Sequence, residues 1–483
     1  MKKILYAVRK ILCCLLFLSL TGGLLAYVNV VLTAKQTARQ LTPLAMYHDF
    51  YNMEENTVDV IFLGSSHCYS AFCPQYLYNE YGIRSYNLGS SQQSMTVAYY
   101  WLKEALQTQS PKAVVLDTCT FFQWFNDNKT NSQEPFVRKA MDFMRWGPNK
   151  MEAIWELHRL EPEEFPLESF FLPNIRYHSR WKELTAEDVH FTDTFITGQS
   201  KGYSGMYIRR GHQSFEAHYD GESDKSEPLY APQLPYIHKL IDLCRDKGID
   251  LILVRTPYNF AYTPTYNALR DFAAETGLPL YDFNGKEMYE KSGFDFGMDC
   301  DDNNHCNIWG AQKMTAFIGK LLTEEYGFTP VKDKQYEDTR QYYEESLEDA
   351  ELRDIEDLKS YLPLLDRERF VILAAVDKSV MKEASEEVAG TLEEYGYDLS
   401  DGYEVLVSGE RKDALKGKFR DEKENYQISV KWDELSIRIG GQEMLYSEDD
   451  INFVVYDLNH LTVVDRVTFS AKDGSVTAHG DIY

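Results

Sequence analysis

The chain has 483 residues, with 50 Lys and Arg against 76 Asp and Glu, a formal net charge of −26. That balance speaks against nucleic acid, because a phosphate-binding surface needs an excess of basic residues, and against adsorption to an anionic lipid surface. A hydrophobic content of 44% is that of a globular protein, and the length suits about three domains.

The N-terminus sets the expected location. Lys2, Lys3, Arg9 and Lys10 precede an apolar run from Ile11 to Ala34 that is interrupted only by small or weakly polar residues and Asn29. At about 1.5 Å per residue the run extends about 36 Å, enough to cross a bilayer. It is longer than a usual signal-peptide core, and Leu32-Thr33-Ala34 is a poor cleavage site, so an uncleaved anchor is expected, with a processed signal peptide as the alternative. Basic residues on its N-terminal side put that end in the cytoplasm and the bulk of the chain outside.

Residues 35–57 read as a polar, helical stalk. Val58 to Leu63 is a short apolar run closed by Gly64, the pattern of a buried parallel strand. Helix is expected from Pro74 to Tyr81 with proline in its first turn, strand from Ser85 to Gly89, helix from Thr96 to Gln107, and strand from Ala113 to Thr118. After an insertion of about residues 121–230 come a helix from Tyr236 to Lys247, a strand from Ile249 to Thr256, a strand from Pro279 to Phe283 and an amphipathic helix from Ile308 to Tyr326. Strands alternating with helices imply an α/β fold with a parallel sheet covered on both faces. The insertion carries helical pieces, Pro135 to Trp146 and Asn149 to Arg159, and an aromatic-rich part from Phe170 to Leu184. Insertions of this size near a sheet's C-terminal edge often form lids or substrate walls. Residues 331–365 read as an acidic helical connector with a solvated face. From Glu368 the texture changes to strands, Phe370 to Val376, Tyr403 to Ser408, Tyr426 to Trp432, Leu435 to Ile439, Ile451 to Asp457 and Arg466 to Ser470, with one helix, Val380 to Tyr395. Residues 366–483 are therefore expected to form a separate α+β domain.

Two short stretches carry chemistry. Gly64-Ser65-Ser66 ends the first strand, where glycine allows a tight turn and where open α/β sheets place ligands. Far down the chain, Asp302-Asn303-Asn304-His305 puts a carboxylate three residues before a histidine. A serine hydroxyl is a poor nucleophile until a base takes its proton; His305 is suited to that near neutral pH, and Asp302 to holding its tautomer. Ser65 and Ser66 have a second reading as helix caps. His67 reads as structural or as a substrate contact, and Arg255 as a cleft residue or a salt-bridged structural arginine. The cluster around His178, Arg180 and Trp181 reads either as a substrate wall or as the insertion's own packing core. The acidic loop of Asp299, Asp301, Asp302 and His305 lacks the second histidine a zinc site would use, so no metal and no cofactor are expected, with calcium on its carboxylates as the alternative reading. Cys68 and Cys73 flank the serine segment, and Cys300 and Cys306 flank the histidine segment. Spacing alone leaves a bridge between the two loops and buried thiols equally open.

Gly64-Ser65-Ser66 resembles the first block of the SGNH (GDSL-like) hydrolase superfamily, with Ser66 at the nucleophile position and Ser65 replacing the usual Asp. Asp302-x-x-His305 resembles the last block, and the likeness covers roughly residues 59–328 apart from the insertion. It implies a flavodoxin-like three-layer α/β/α core over about residues 58–330 and a Ser66–His305–Asp302 triad. The chain departs from the family twice. Ser91 or Gln92 stands where the second block has its oxyanion glycine, and Asp117-Thr118-Cys119-Thr120 stands where the third block has an Asn, making Cys119 and Thr120 the nearest candidates there. The anchor with DVIFLGSSH, YNLGSSQQS and the DNNHCN loop is similar to exported SGNH-like proteins of envelope polysaccharide O-acylation, such as those of alginate acetylation and teichoic acid D-alanylation. That similarity implies acyl transfer on a glycan, with a membrane-bound O-acyltransferase as donor partner. A carbohydrate esterase and a non-catalytic glycan-binding scaffold are the alternatives. In the C-terminal domain, residues 370–397 and 451–469 resemble two halves of an interleukin-like EMT-inducer domain in swapped order, which implies glycan binding.

Overall fold

A computed structural model describes residues 2–33, 43–122, 129–182, 184, 188–189, 200–205, 223–258, 261–301, 305–412, 414–418, 425–431 and 434–480. A first helix, Lys2–Leu32, contains a span of 27 residues, Tyr6–Leu32, long and apolar enough to cross a membrane or to serve as a signal sequence. Five strands then build one parallel sheet: β1 (Val60–Leu63), β2 (Ser85–Asn87), β3 (Ala113–Asp117), β4 (Asp250–Arg255) and β5 (Leu280–Asp282). Their order is β2-β1-β3-β4-β5, and every pairing is parallel, the arrangement of a doubly wound sheet.

Strand alternation divides the core in two. Ile61, Leu63, Val114, Leu116, Leu251 and Leu253 face a cluster built with the helices Met95–Ala105, Leu234–Lys247 and Thr263–Thr276. Val60, Phe62, Val115, Ile252 and Val254 face the other, built with Ser66–Ala71, Pro74–Tyr81 and Ile308–Glu324. Near-continuous apolar strands are what a sheet covered on both faces requires, since each side chain is buried whichever way it points.

Two segments differ from the sequence expectation. Part of the expected stalk, the helix Pro43–Phe50, is instead core: Tyr47 and Phe50 are fully buried, and Tyr47 stacks on Trp101 at 4.1 Å between ring centroids. Its sequence, PLAMYHDF, is itself mostly apolar but short and set in a polar stretch, and Tyr47 and Phe50 lie one turn apart on one face. Residues 34–42 of the stalk lie outside the described residues. The connector is likewise no free acidic helix. Tyr336 is buried in the first cluster and donates to the Ser85 carbonyl at 2.9 Å, Tyr343 belongs to the second, and Leu358, Tyr361 and Leu362 belong to the C-terminal core. Tyrosines placed among glutamates let an acidic segment bury one edge while the carboxylates stay wet.

In the C-terminal region β6 (Phe370–Ala375) and β7 (Tyr403–Val407) are followed by β8 (Glu410–Arg411), β9 (Lys416–Lys418), β10 (Asn425–Lys431), β11 (Glu434–Ile439), β12 (Gln442–Glu443), β13 (Ile451–Asp457), β14 (Thr462–Phe469) and β15 (Val476–His479). They form a six-stranded sheet, β15-β14-β13-β6-β7-β8, and a four-stranded one, β12-β11-β10-β9, all antiparallel. Leu373 and Val454 of the larger sheet share a core with Ile428 and Ile437 of the smaller, while the helix Glu386–Glu394 covers the opposite face through Val388 and Leu392.

Candidate active site

The site is assembled where β1 ends. Gly64 takes φ +145°, a backbone conformation that side-chain-bearing residues rarely adopt. A Cβ there would lie 2.5 Å from the Asp117 Cβ, so glycine is what lets the end of β3 come against the turn. The Asp117 carboxylate uses that approach: it accepts from the Ser65 Oγ at 2.9 Å and the Ser65 N–H at 3.4 Å, and its other oxygen accepts from the Cys119 N–H at 3.2 Å. Asp117 is fully buried, and burial pushes its carboxyl up to about 6 against the pull of those donors and of Arg255.

Ser65 thereby orients the helix that follows. It is the N-cap of Ser66–Ala71, its Oγ accepting from the His67 N–H at 3.3 Å. The cap reading thus holds for Ser65. Ser66, the first helical residue, instead turns its Oγ to His305, whose Nε2 lies 2.8 Å away across 239 positions of sequence. Both residues are partly exposed.

His305 is delivered by a loop fixed at both feet. Asn307 caps the helix Ile308–Glu324 through the Gly310 N–H at 3.0 Å and donates from Nδ2 to the Met298 carbonyl at 2.8 Å. Buried Asp299 pairs with Lys313 at 2.6 Å and accepts from the Asp295 N–H at 2.7 Å, which makes it a strut of this loop. Gly310 carries no side chain because a Cβ would meet the Asp299 carbonyl at 2.2 Å. Asp302, the expected orienting carboxylate, lies outside the described residues. His67 backs His305: its buried ring stacks on that of His305 at 5.0 Å and 27°, and meets the Tyr258 ring edge-on at 5.2 Å.

The second wall is the turn after β2. Asn87 ties it down, accepting from the Gly89 N–H at 3.0 Å and donating to the carbonyls of Cys68 and Phe72 at 3.0 and 3.1 Å. The Ser90 N–H donates to the Gly64 carbonyl at 3.0 Å, so these two amides are engaged within the scaffold. Gln93, buried and fully bonded, clamps the turn to the serine segment: its Oε1 accepts from the Gly64 N–H at 3.1 Å and its Nε2 donates to the Leu88 carbonyl at 2.7 Å. Between them Ser91 meets the Tyr69 hydroxyl at 3.1 Å and Gln92 adopts φ +49°. The amides of Ser66, Ser91 and Gln92 donate no hydrogen bond among the described residues.

The other expected site residues fall in three places. Cys119 and Thr120 are buried beside Asp117, with burial raising the Cys119 thiol well above its ordinary value, and the Thr120 hydroxyl has no partner among the described residues. Arg255 is buried at the end of β4, donating to the Thr265 hydroxyl at 2.8 Å, 3.8 Å from Asp282 and over the Phe122 ring at 5.4 Å. His178 and Arg180 are elsewhere. The Arg180 guanidinium donates to the carbonyls of Leu32 and Thr33, both at 2.9 Å, at the end of the first helix, and pairs with Asp188 at 3.0 Å; the exposed His178 ring contacts only the Ile175 carbonyl, at 2.8 Å, among the described residues. The insertion's polar-aromatic cluster therefore serves the apolar helix rather than the serine. Sequence reasoning missed Asp117, Gln93, Asn87 and Tyr258 as members of the site. Asp117 had one signal, its place where an Asn was expected; the other three act through tertiary contacts that no local pattern announces.

No protein-family model matches the chain, and no curated protein is found as a relative.

Proposed function

We propose that this protein is a membrane-anchored, extracytoplasmic acyltransferase of the SGNH type that moves an acyl group, acetyl in the first instance, to a hydroxyl of an envelope or exported polysaccharide. The observation that carries the reading is the 2.8 Å contact between His305 Nε2 and Ser66 Oγ at the C-terminal edge of a doubly wound parallel sheet. In this reading His305 takes the Ser66 proton as Oγ attacks the acyl carbonyl, and returns it to the departing donor group. The developing oxyanion is received by the Ser66 amide and by the amides of Ser91 or Gln92, which replace the family's glycine. Asp117 stands where the family has an Asn and serves the hole indirectly, by holding Ser65. A glycan hydroxyl, deprotonated by His305, then attacks the acyl-serine; the bond to Ser66 Oγ breaks and His305 returns the proton to Oγ, with Asp302 as the orienter that the resemblance assigns.

An esterase differs only in the last step, where water replaces the sugar hydroxyl. The anchored location is supported by the apolar first helix, by the basic residues before it, and by Arg180, which ties its end to the insertion. Exposed Phe171, Leu172, Ile175 and Trp181 on the same elements suit a membrane interface. A membrane-bound O-acyltransferase would supply the acyl group at that surface.

The test is turnover of 4-nitrophenyl acetate with and without glycan oligomers. Ser66→Ala is expected to lower turnover by about a thousandfold or more. Acetylated oligomer as product would select transfer over hydrolysis. Equal rates for the two proteins would remove the serine chemistry and leave a glycan-binding scaffold as the better reading.

A further inference from the structure

The two cysteines that bracket the histidine loop face each other. Cys300 and Cys306 are partners in an isolated antiparallel bridge. Around them the Asp301 N–H donates to the His305 carbonyl at 3.0 Å, and the Asn307 N–H donates to the Asp299 carbonyl at 2.9 Å. Hydrogen bonds from the residues flanking a pair, rather than from the pair itself, define the non-hydrogen-bonded site of an antiparallel ladder. There the Cα atoms are about 4.5 Å apart and the side chains lie close on one face. That separation falls within the span of about 4.4–6.8 Å that a disulfide bridges. Both cysteines are buried in the same apolar cluster.

The earlier alternative, a bridge from this loop to Cys68 or Cys73, has less to support it. The Cys68 thiol is directed to Asn87 Oδ1 at 3.6 Å, and Cys73 sits where the chain docks on Thr315. Burial also raises both thiols, Cys73 up to about 12, which lowers the thiolate needed for exchange.

We propose that Cys300 and Cys306 form a disulfide that closes the base of the histidine loop and holds His305 at Ser66. Two thiols lose two protons and two electrons as the Sγ–Sγ bond forms. The electrons reduce the disulfide of an exported thiol oxidoreductase, or of a small-molecule disulfide, to two thiols. The compartment rests on the exported location proposed above; the pairing rests on the bridge geometry alone. The loop's outer feet are already fixed by Asp299–Lys313 and by the Asn307 cap, and the bridge adds a covalent tie at Cys306, next to His305.

The test equilibrates the full-length protein in detergent with a series of oxidised and reduced glutathione mixtures, alkylates it after denaturation, and maps its peptides by mass spectrometry. The expected result is a linked Cys300–Cys306 pair, with Cys68, Cys73, Cys119 and Cys244 alkylated as thiols. Alkylation of both Cys300 and Cys306 at every ratio, or linkage of either to Cys68 or Cys73, would overturn the proposal. This mapping needs neither turnover nor a membrane, so it stands even if the acyltransferase reading falls. Where turnover is present, reduction should lower it roughly tenfold to a hundredfold, with no such effect on the Cys300→Ser/Cys306→Ser protein. A linked pair whose reduction leaves turnover unchanged would overturn its role in holding His305.

Discussion

Asp117 shows how one buried residue can shape the turn that presents Ser66. Its carboxylate is buried under the turn that presents Ser66, and it is held there by Ser65, Cys119 and the absence of a side chain at Gly64. Burial has moved its carboxyl from the ordinary range up to about 6. With the folded-state value above the unfolded one, the folded protein holds the extra proton between the two. This contribution to stability is full below the ordinary carboxylate range and is lost as pH rises through about 6. Asp117→Asn cannot titrate. The stability of the native protein relative to that variant should therefore fall by roughly 3 kcal/mol between pH 4 and pH 7. Denaturant unfolding of the two proteins across that range checks it; a constant difference would show that the Asp117 carboxyl titrates alike in the folded and the unfolded chain. The meeting of Ser66 with His305 was expected from the resemblance of Gly64-Ser65-Ser66 and Asp302-x-x-His305 to the first and last SGNH blocks, and the two side chains do meet. The part played by Asp117 was not, because it depends on how closely β3 approaches Gly64.

At the scale of elements, apolar periodicity sufficed for the five parallel strands and the helices between them. It failed where the apolar stretch is too short to show a period, as in Pro43–Phe50, and where burial rests on tyrosines among carboxylates, as in the connector. The helix Pro43–Phe50 and the connector both read as solvated, yet Tyr47 and Tyr336 are among the largest fully buried side chains. Tyr336 packs on Tyr78 at 4.9 Å and reaches back to the carbonyl of Ser85 on β2. Replacing it by alanine should cost about 3–5 kcal/mol, as deletion of a buried aromatic does, and lower the melting temperature of the sheet domain. A change within about 0.5 kcal/mol, measured by thermal and denaturant unfolding, would return the connector to the solvent. A second lock is electrostatic. Arg369 of the C-terminal region pairs with Glu348, Asp349 and Asp457, and His460 lies 3.0 Å from Asp349, so the connector's acidic residues face a buried arginine rather than water alone.

For the whole molecule, the direction of the insertion matters most. Its helices Glu134–Met141 and Pro148–Leu160 extend the first core through Val137, Ile154 and Leu157, and its turn His178–Lys182 meets the end of the apolar first helix through Arg180. The sequence offered a dense cluster of histidine, arginine and tryptophan but no direction for it, since a polar-aromatic patch suits a sugar, a lid or a membrane interface equally well. If the first helix is an uncleaved anchor, cell fractionation should place the protein in the membrane at its full mass, with the C-terminal region open to protease added outside. A soluble, shortened product would identify a processed signal peptide instead.

The central claim is that Ser66 is a nucleophile activated by His305. The most direct measurement is covalent labelling of the native protein by a fluorophosphonate, located by peptide mass spectrometry and repeated on His305→Ala. A single adduct on Ser66, formed at least about a hundredfold more slowly without the histidine, is the predicted result. An adduct at another residue, or equal labelling of Ser66 in both proteins, would contradict it.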